Sequence, residues 1–427
     1  MYNRQAKPLY METLTFQSIL IYISLFIATY FEVFLMITLF EHSTKLRKEN
    51  VLMDNDPTNY LSTTIIVPCF NEQKTVEGTV NSLLSMNYPR EKLNLIIVDD
   101  GSTDNTWQYI QKFKNHPQIK IFKKKNGGKY TALNYGIKRS ETDLVGCLDA
   151  DSYVGADTLR RIVRYFENPT AMAVTPAIKI YRPKSLIQSI QYIEYQFGIM
   201  IKKLLAYLGA VHVTPGPFTI FRREVFKKIG PFRHAHNTED MEIAMRMHLH
   251  HLKIENCHKG FVYTEGPRTL KKLYKQRVRW THGFLENAID YKKIFFKREY
   301  GNVAFLTLPF SVASLCSAIA VVSLTLWSIG WRVYDTIVRY ITIGFHLNWP
   351  LHFDFSLVYL STRTSIFVGL MLFSMTLTLL LTGRRISEEK MISREIFYFL
   401  FLYPIIAPLW ISKSIYNTIF GRKTSWR

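Results

Sequence analysis

The chain has 427 residues, of which 48% are hydrophobic, and its 54 Lys and Arg residues against 33 Asp and Glu give a net charge of +21. A charge of this sign suits nucleic acid, an anionic membrane surface or a phosphorylated substrate. The sequence contains no helix-turn-helix, zinc-finger or RNP pattern, so nucleic acid is not expected as a partner. The four cysteines are scattered without a Cys-x-x-Cys pair, which argues against a zinc site or a disulfide framework and favours a reducing compartment.

The first long apolar stretch, residues 18–40, is about long enough to cross a bilayer. Glu32 interrupts it, and a carboxyl group at that depth is expected to have a partner or to face the protein interior. Lys45, Arg47 and Lys48 follow at once. Because basic residues favour the cytoplasmic side, residues 1–45 are predicted to be a membrane anchor that leaves the next segment in the cytoplasm.

Strand and helix patterns alternate through the part of the chain that follows the anchor. Apolar and β-branched runs predict strands at 63–70, 93–98, 119–122 and 144–148, and helical spacing predicts helices at 75–86, 106–113 and 131–138. Such alternation is typical of a doubly wound, mostly parallel α/β sheet. A further strand is predicted at 218–221, and helices are predicted from 239 to about 250 and over 270–288.

Two pairs of acidic residues stand where predicted strands end. Asp149 and Asp151 follow an apolar run, and ligands of open α/β sheets bind just beyond the carboxyl ends of the strands. Mg²⁺ or Mn²⁺ prefers such oxygen ligands and typically bridges them to a diphosphate. Asp99 and Asp100 end another strand of the same sheet, so both pairs can face one cleft. The alternatives are a polar loop for the first pair and a capped turn for the second.

Glu239 and Asp240 begin a predicted helix, whose amide dipoles favour an anion there. Adjacent carboxylates can supply a general base, although a capped helix start is the alternative. Gln276, Arg279 and Trp280 share one face of a later helix. Arginine binds phosphate oxygens in a bidentate manner and tryptophan offers a flat surface for a sugar ring, whereas the alternative is an amphipathic helix with a buried tryptophan.

Lys129 follows Gly127 and Gly128 in a segment that resembles a phosphate-binding loop only loosely, because its spacing is not that of a P-loop.

The last third of the chain is predicted to lie largely in the membrane. Residues 303–327 and 357–381 are long enough to span it, whereas 396–415 contain Pro404 and Pro408 and are expected to be kinked or to return. The mixed segment 331–352 is predicted to be interfacial. Four full spans would place the C-terminus outside, while the basic tail with Arg422, Lys423 and Arg427 argues for the inside. Either a broken last segment or a hidden span in 331–352 would reconcile the number of spans with a C-terminus on the inside, and both alternatives are open.

These patterns divide the chain into an anchor (1–45), a cytosolic domain (46–295) and a C-terminal membrane region (296–427). Within the cytosolic domain, 185–208 and 269–290 are amphipathic and are predicted to lie at the membrane interface. An ordinary core helix is the alternative for 185–208.

The ordered motifs between residues 62 and 290 resemble those of the family 2 glycosyltransferases, and among them the membrane-embedded synthases of cellulose, hyaluronan, chitin and poly-N-acetylglucosamine. The matching residues are Pro68-x-x-Asn71-Glu72, Asp99-Asp100-Gly-Ser-x-Asp104, Gly127-Gly128-Lys129, Asp149-x-Asp151, Thr238-Glu239-Asp240 and Gln276-x-x-Arg279-Trp280. The resemblance implies a GT-A-like nucleotide-diphospho-sugar transferase fold.

The resemblance also implies a role for each matching residue. The nucleotide pocket would be lined by Asn71, Glu72, Asp99 and Asp100, and the nucleotide and a Mg²⁺ or Mn²⁺ ion would be held by Asp149 and Asp151. The general base would be Asp240, beside Glu239. The diphosphate would be held by Gln276 and Arg279 and approached by Lys129, while Trp280 would stack on the acceptor sugar.

The expected activity is an inverting transfer of a sugar, N-acetylglucosamine or glucose, from a UDP-sugar to a growing β-linked polysaccharide that the protein also extrudes. Transfer of one sugar to a lipid acceptor is the alternative, and a non-catalytic membrane scaffold or transporter is the alternative from another class. The expected location is the plasma membrane, with membrane lipids as partners and the catalytic domain in the cytoplasm. The sequence predicts no particular oligomeric state.

Overall fold

The computed structural model describes residues 16–343 and 364–422. The strands are β1 (Thr63–Cys69), β2 (Leu93–Asp99), β3 (Ile119–Lys123), β4 (Leu144–Cys147), β5 (Ser152–Val154), β6 (Ala171–Ile180), β7 (Ile220–Arg222) and β8 (Lys253–Thr264). The helices are α1 (Phe16–Glu41), α2 (Ser43–Leu52), α3 (Val76–Leu84), α4 (Thr106–Gln111), α5 (Lys129–Ile137), α6 (Thr158–Val163), α7 (Leu186–Tyr207), α8 (Arg223–Ile229), α9 (Glu239–Leu249), α10 (Leu270–Asp290), α11 (Leu308–Ile343), α12 (Thr364–Ile386) and α13 (Glu395–Ile419). The alternation of strands and helices predicted for the first part of the domain is confirmed.

The strands form one eight-stranded sheet in the order β3-β2-β1-β4-β7-β6-β8-β5. Strands β3, β2, β1 and β4 run parallel, and β6 and β8 are parallel to each other. Strand β7 is antiparallel to both of its neighbours, and β5 is antiparallel to β8. The predicted doubly wound, mostly parallel sheet is therefore confirmed, with antiparallel strands confined to one half of it.

Side chains of β1 show why the parallel half reads as a continuous apolar run. Ile65 and Val67 point to one face and pack in a cluster with Val80 of α3, whereas Ile66 points to the other face and packs with Leu133 of α5. Parallel strands that carry helices on both faces are buried on both sides, so the central positions of the strand are apolar on both faces.

Strands β6 and β8 were not predicted from the sequence, and Pro176 explains part of the omission. Proline cannot donate to the ladder and normally argues against a central strand. Here the pairing between β6 and β8 shifts register between Pro176 and Ala177, so the proline lies where the ladder is already irregular.

In the described part of the chain, four helices are long and apolar enough to cross a membrane: Gln17–Glu41, Val303–Thr342, Ile366–Ile386 and Glu395–Ile419. They mark the chain as an integral membrane protein. Glu32 of α1 has the partner that its position required, because Thr376 Oγ1 of α12 donates a hydrogen bond to Glu32 Oε1 at 2.5 Å.

The last span is continuous, so the expectation of a broken or returning segment is wrong. Helix α13 runs through Pro404 and Pro408 without interruption. A proline removes one intrahelical hydrogen bond, which packing against neighbouring helices can offset. Trp410 supplies such packing, since it lies in one apolar cluster with Leu273 and Val278 of α10.

The predicted division between a span and an interfacial segment near residue 330 is not observed. Helix α11 continues through Trp331 as a single helix of 36 residues. At 1.5 Å per residue it is about 54 Å long, more than a hydrocarbon core of about 30 Å. Residues 344–352 of that segment, residues 357–363 of the next predicted span, and Lys423 and Arg427 of the tail lie outside the described residues.

Helix α7 forms the layer between the sheet and the spanning helices. Its Ile199 and Leu204 share one apolar cluster with Ala177 of β6, Leu35 of α1 and Leu379 of α12. The amphipathic character of 185–208 thus corresponds to packing on the protein. Contact of this helix with the lipid interface stays a prediction.

A buried ion pair fastens α2 to α7. Lys203 Nζ lies 2.5 Å from Glu49 Oε2, and the Lys203 side chain is only 1% exposed. Lys203 also donates to the backbone oxygen of Asn256. The ammonium group is therefore held from two sides at the junction between the membrane anchor and the sheet.

Replacing Lys203 with Met should lower the free energy of unfolding by about 3–5 kcal/mol, because it leaves Glu49 as an uncompensated carboxylate. Thermal unfolding of the purified protein in detergent measures the change. The matched control is Lys112→Met, which breaks an exposed pair with Glu77 and should cost at most about 1 kcal/mol. Equal, small losses in the two variants would contradict the prediction.

Candidate active site

The acidic residues singled out in the sequence follow three parallel strands at the same edge of the sheet. In the ladder, Cys69 of β1 is paired with Asp99 of β2, and Ile66 of β1 with Cys147 of β4. The segments carrying Glu72, Asp100 and Asp149 therefore begin side by side. This is the edge at which open α/β sheets bind their ligands.

These residues border a cavity of about 1080 Å³. Ten of the predicted site residues line it: Glu72, Asp100, Lys129, Asp149, Asp151, Glu239, Asp240, Gln276, Arg279 and Trp280. Asn71 and Asp99 do not belong to its lining. The structure thus brings residues of six separate motifs to one cavity.

Asn71 and Asp99 instead build the turn behind the cavity wall. Asp99 Oδ1 accepts a hydrogen bond from the backbone N–H of Ser102 at 2.9 Å, and Asn71 Oδ1 accepts one from the backbone N–H of Thr103 at 2.9 Å. Asn71 has a φ of 58°, in the left-handed region that asparagine tolerates well. Both side chains hold the backbone after β2 in place.

Asp100 anchors the glycine loop that precedes α5. Its carboxylate accepts from the backbone N–H groups of Gly127 (3.1 Å) and Gly128 (2.9 Å), and Lys124 Nζ lies 2.5 Å from its Oδ1. Since Lys129 is the next residue, Asp100 fixes the start of the helix from which Lys129 reaches into the cavity. This support could not be inferred from the spacing of the glycines alone.

Lys129 is the central cation of the site. Its Nζ lies 2.6 Å from Asp149 Oδ1 and 3.3 Å from Glu239 Oε1. Burial lowers the pKa of Lys129, but Asp149 and Glu239 outweigh that effect and raise it above its ordinary value. One ammonium group thus bridges the carboxylate after β4 and the carboxylate at the start of α9.

Gly216 leaves the space that the Lys129–Asp149 pair occupies. A Cβ atom at this position would lie 2.5 Å from Lys129 Nζ and 3.0 Å from Asp149 Oδ2. The loop between α7 and β7 therefore approaches the charged pair as closely as its backbone allows.

Replacing Gly216 with Ala should separate Lys129 from Asp149. Because a charge-assisted contact of this kind is worth roughly 1.5–3 kcal/mol, binding of a nucleoside diphosphate should weaken about tenfold or more. Equilibrium binding of UDP to the full-length protein measures this. Gly301→Ala is the control, because its Cβ would meet no atom within 4 Å, although its positive φ makes that change a test of backbone strain as well. Unchanged UDP affinity in Gly216→Ala would contradict the prediction.

Asp151 lies beside Asp149 without an equivalent lysine. Burial, together with the charges of Asp149 and Glu72, raises its pKa to about 7. Such a site favours a cation. In the described part of the chain no group of three or more His, Cys, Asp or Glu side chains is arranged to hold a metal ion. Two carboxylates are nevertheless sufficient for Mg²⁺, which usually takes its remaining ligands from water and substrate phosphates.

Asp240 lies in the first turn of α9 and faces the same cavity. Its Oδ1 accepts a hydrogen bond from the backbone N–H of Met241 at 3.0 Å. Burial and the neighbouring Glu239 raise its pKa to about 6, against the opposing effect of Lys129. A carboxylate in this state can take up a proton near neutral pH.

Helix α10 closes the cavity with the predicted triad of Gln276, Arg279 and Trp280. Arg279 Nη1 donates to the backbone oxygen of Asn237 at 3.0 Å and so fastens α10 to the turn before α9. Gln276 Oε1 is buried without a hydrogen-bond partner among the described residues. Because a buried amide oxygen is normally satisfied, a bound ligand is a natural partner for it.

Two contacts around this helix were missed from the sequence. Arg277 lies 2.7 Å from Glu194 of α7, and Tyr403 of the spanning helix α13 donates to the same carboxylate at 2.9 Å. The Arg277 guanidinium also lies 4.5 Å from the centre of the Trp280 ring.

Residues 64–230 match the family model described as Glycosyl transferase family 2. The chain is 36% identical over 221 residues to a poly-β-1,6-N-acetyl-D-glucosamine synthase of Staphylococcus epidermidis, covering 51% of this chain and 53% of that protein. It is 37% identical over 223 residues to the synthase of the same name from Staphylococcus aureus strain COL, covering 52% and 54%. The chain spans about half the length of the curated relatives it matches.

Among solved structures, the fold is similar to that of a mannosyltransferase from Pyrobaculum calidifontis in complex with GDP-Man and Mn²⁺. The TM-score is 0.58 at 15% identity, and the match covers 92% of this chain and 99% of the other. This likeness concerns the fold, and it agrees with the predicted GT-A-like architecture. Residues 64–230 therefore form a glycosyl transferase family 2 domain, homologous to the matching part of poly-β-1,6-N-acetyl-D-glucosamine synthase.

Proposed function

We propose that this protein is an inverting membrane glycosyltransferase that adds N-acetylglucosamine from a UDP-sugar to a growing β-linked polysaccharide. The domain opens to the cytoplasm in this proposal, as the basic residues after the first span indicate. The relatives named above are poly-β-1,6-N-acetyl-D-glucosamine synthases, which supports N-acetylglucosamine over glucose.

The observation that carries the proposal is the convergence of three kinds of group on one cavity. The cavity is lined by the paired carboxylates of Asp149 and Asp151 after a parallel strand. It is also lined by the carboxylate of Asp240 at the start of a helix, and by a helix face that carries Gln, Arg and Trp. Inverting transfer requires these three parts: a site for the diphosphate, a base behind the sugar and a surface for the acceptor.

In the proposed reaction, Asp240 removes the proton from an acceptor hydroxyl as its oxygen attacks the anomeric carbon. The bond from that carbon to the diphosphate oxygen breaks, and its electron pair leaves with UDP. Arg279 and Lys129 hold the negative charge that develops on the leaving group. Trp280 supports the acceptor ring from one face.

Asp149 and Asp151 would hold a divalent cation, Mg²⁺ or Mn²⁺, on the same diphosphate. The clustered charge at Asp151 supports this assignment, and Lys129 next to Asp149 keeps the first carboxylate oriented in the absence of substrate. When bound there, the cation would supply further neutralisation of the departing diphosphate.

The proposal is tested with the full-length protein in nanodiscs supplied with one donor at a time: UDP-N-acetylglucosamine, UDP-glucose or UDP-glucuronate, with Mn²⁺ or Mg²⁺. UDP release and product mass are followed. Release with the first donor and a high-mass, glycosidase-sensitive product is expected. A single-sugar product that forms only with added lipid would identify a glycolipid transferase, and no release with any donor would refute the proposed activity.

The pH dependence of this reaction follows from Asp240. A general base must be ionised, and its pKa is raised from the ordinary value of 3.8 to about 6. Activity should therefore be full above pH 7 and fall about tenfold for each pH unit below 6, measured as kcat/KM for the donor. Saturating Mn²⁺ keeps Asp151 ionised, because metal and proton compete for it. An acid limb near pH 4 would contradict the assignment.

A further inference from the structure

Helix α7 contributes a wall of the cavity that no sequence motif marks. Tyr195, Gly198 and Lys202 all line the cavity. Their spacing of three and four residues places them on one face of the helix. The adjoining positions Ile199 and Leu204 pack against the sheet and the spanning helices, so this wall is held rigidly.

Lys202 is a half-buried cation that the proposed mechanism does not use. Burial lowers its pKa to about 8 despite the nearby charge of Asp240. Among the described residues its ammonium group has no hydrogen-bond or ion-pair partner. Because its ammonium group lines the cavity and has lost part of its hydration, Lys202 is suited to donate hydrogen bonds to a ligand there.

Gly198 lies one helical turn before Lys202 and borders open space. A Cβ atom at this position would meet no atom within 4 Å. A flat, unobstructed stretch of helix therefore separates the ring of Tyr195 from the ammonium group of Lys202. The chemistry of such a surface, with an aromatic ring and a cationic donor, fits a sugar residue.

We propose that the α7 wall of Tyr195, Gly198 and Lys202 binds the acceptor saccharide, which rests on the proposed function of the cavity. The terminal sugar lies over Gly198 with a hydroxyl group directed at Asp240, and Lys202 donates hydrogen bonds to its oxygen atoms. Tyr195 supports the preceding sugar. The donor diphosphate is held by Asp149, Gln276 and Arg279, whereas the α7 wall and Trp280 of α10 contact the acceptor.

Two substitutions test the wall without touching donor residues. Gly198→Leu fills the space over the helix, and leucine favours a helix more than glycine does. Lys202→Met keeps the length of the side chain and removes the charge. The matched controls are Gly369→Leu, at another glycine whose Cβ would meet no atom within 4 Å, and Lys275→Met, at an exposed lysine of α10.

Each full-length variant is placed in phosphatidylcholine–phosphatidylglycerol nanodiscs. In one experiment a β-1,6-linked N-acetylglucosamine pentasaccharide is titrated into protein that already holds UDP and Mn²⁺. In a second experiment UDP is titrated in the presence of Mn²⁺ without the pentasaccharide. Both wall variants should bind the pentasaccharide at least tenfold more weakly than the wild type, with UDP affinity unchanged, and both controls should bind normally. In transfer assays the same variants should raise KM for the pentasaccharide with little change in kcat.

Unchanged pentasaccharide binding in both wall variants would overturn the inference, as would a parallel loss of UDP affinity or a wild-type protein that does not bind the pentasaccharide. Wild-type binding without transfer would instead refute the proposed function, while the binding results would still support the wall as a saccharide site.

Discussion

Asp240→Asn is expected to lower kcat for sugar transfer by about 10²–10⁴-fold, the usual contribution of a positioned general base. Asparagine keeps the shape of the side chain and its place in α9 but cannot accept the proton of the acceptor hydroxyl. Affinity for UDP should be unchanged, because the proposed diphosphate contacts come from Lys129, Gln276 and Arg279. Initial rates of UDP release and equilibrium binding of UDP measure the two quantities.

The choice of Asp240 over its neighbour depends on their different environments. Glu239 Oε1 lies 3.3 Å from Lys129 Nζ, so this carboxylate is already engaged in an ion pair. Asp240 has its pKa raised to about 6. Glu239→Gln should therefore disturb the position of Lys129 and weaken UDP binding, whereas Asp240→Asn should affect the chemical step.

Asp290→Asn is a suitable control for Asp240→Asn, because Asp290 is an exposed carboxylate at the end of α10 whose partner is His236. It should leave kcat unaltered. A near-normal rate for Asp240→Asn, or equal losses in both variants, would remove Asp240 from the role of base.

The parallel half of the fold was predictable because its residues obey one simple rule. Ile65, Ile66 and Val67 are apolar without interruption, as strands buried on both faces must be, and the polar residues begin where the strand ends. The same rule located Asp149 and Asp151. Local sequence was sufficient here because each ligand-binding group directly follows the strand that positions it.

The other half of the fold was harder to predict because its strands depend on distant partners. Strand β6 contains Pro176, and only its irregular pairing with β8 makes that residue acceptable. Similarly, Pro404 and Pro408 predict a break in α13 from local sequence, but packing against α10 maintains the helix. Such tertiary contacts override local preference and leave no trace in the local pattern.

Within the site, the sequence predicted which residues meet but not how they support one another. Asp100 was expected to line the nucleotide pocket, and it does border the cavity, but its carboxylate is occupied by the N–H groups of Gly127 and Gly128. Lys202 could not be singled out, because a lysine in an amphipathic helix normally faces solvent. Only the folded structure shows that Lys202 lines the cavity.

Asp149→Asn should lower the transfer rate by about 10²–10³-fold, the scale associated with losing one preorganised electrostatic group in an active site. Two effects combine. The carboxylate pair after β4 loses one of its two charges and with it much of its affinity for a divalent cation. Lys129 also loses the partner that lies 2.6 Å away and is drawn toward Glu239 or the diphosphate instead.

This second effect gives Asp149→Asn a signature beyond a lower rate. Because Lys129 is released toward the diphosphate, binding of UDP in the absence of metal should be retained, whereas the enhancement of UDP binding by Mn²⁺ should be lost. Binding of Mn²⁺ is measured by electron paramagnetic resonance of the free ion, and binding of UDP by titration, each with and without the other ligand. Together these measurements separate the metal-independent binding of UDP from its enhancement by Mn²⁺. The rate of transfer is then measured as a function of Mn²⁺ concentration.

Asp157→Asn is the matched control, since Asp157 accepts a hydrogen bond from Asn87 at 2.9 Å on the surface of the same domain and does not line the cavity. It should retain both the rate and the response to Mn²⁺. If Asp149→Asn still bound Mn²⁺ and UDP cooperatively, the carboxylates after β4 would not be the metal ligands.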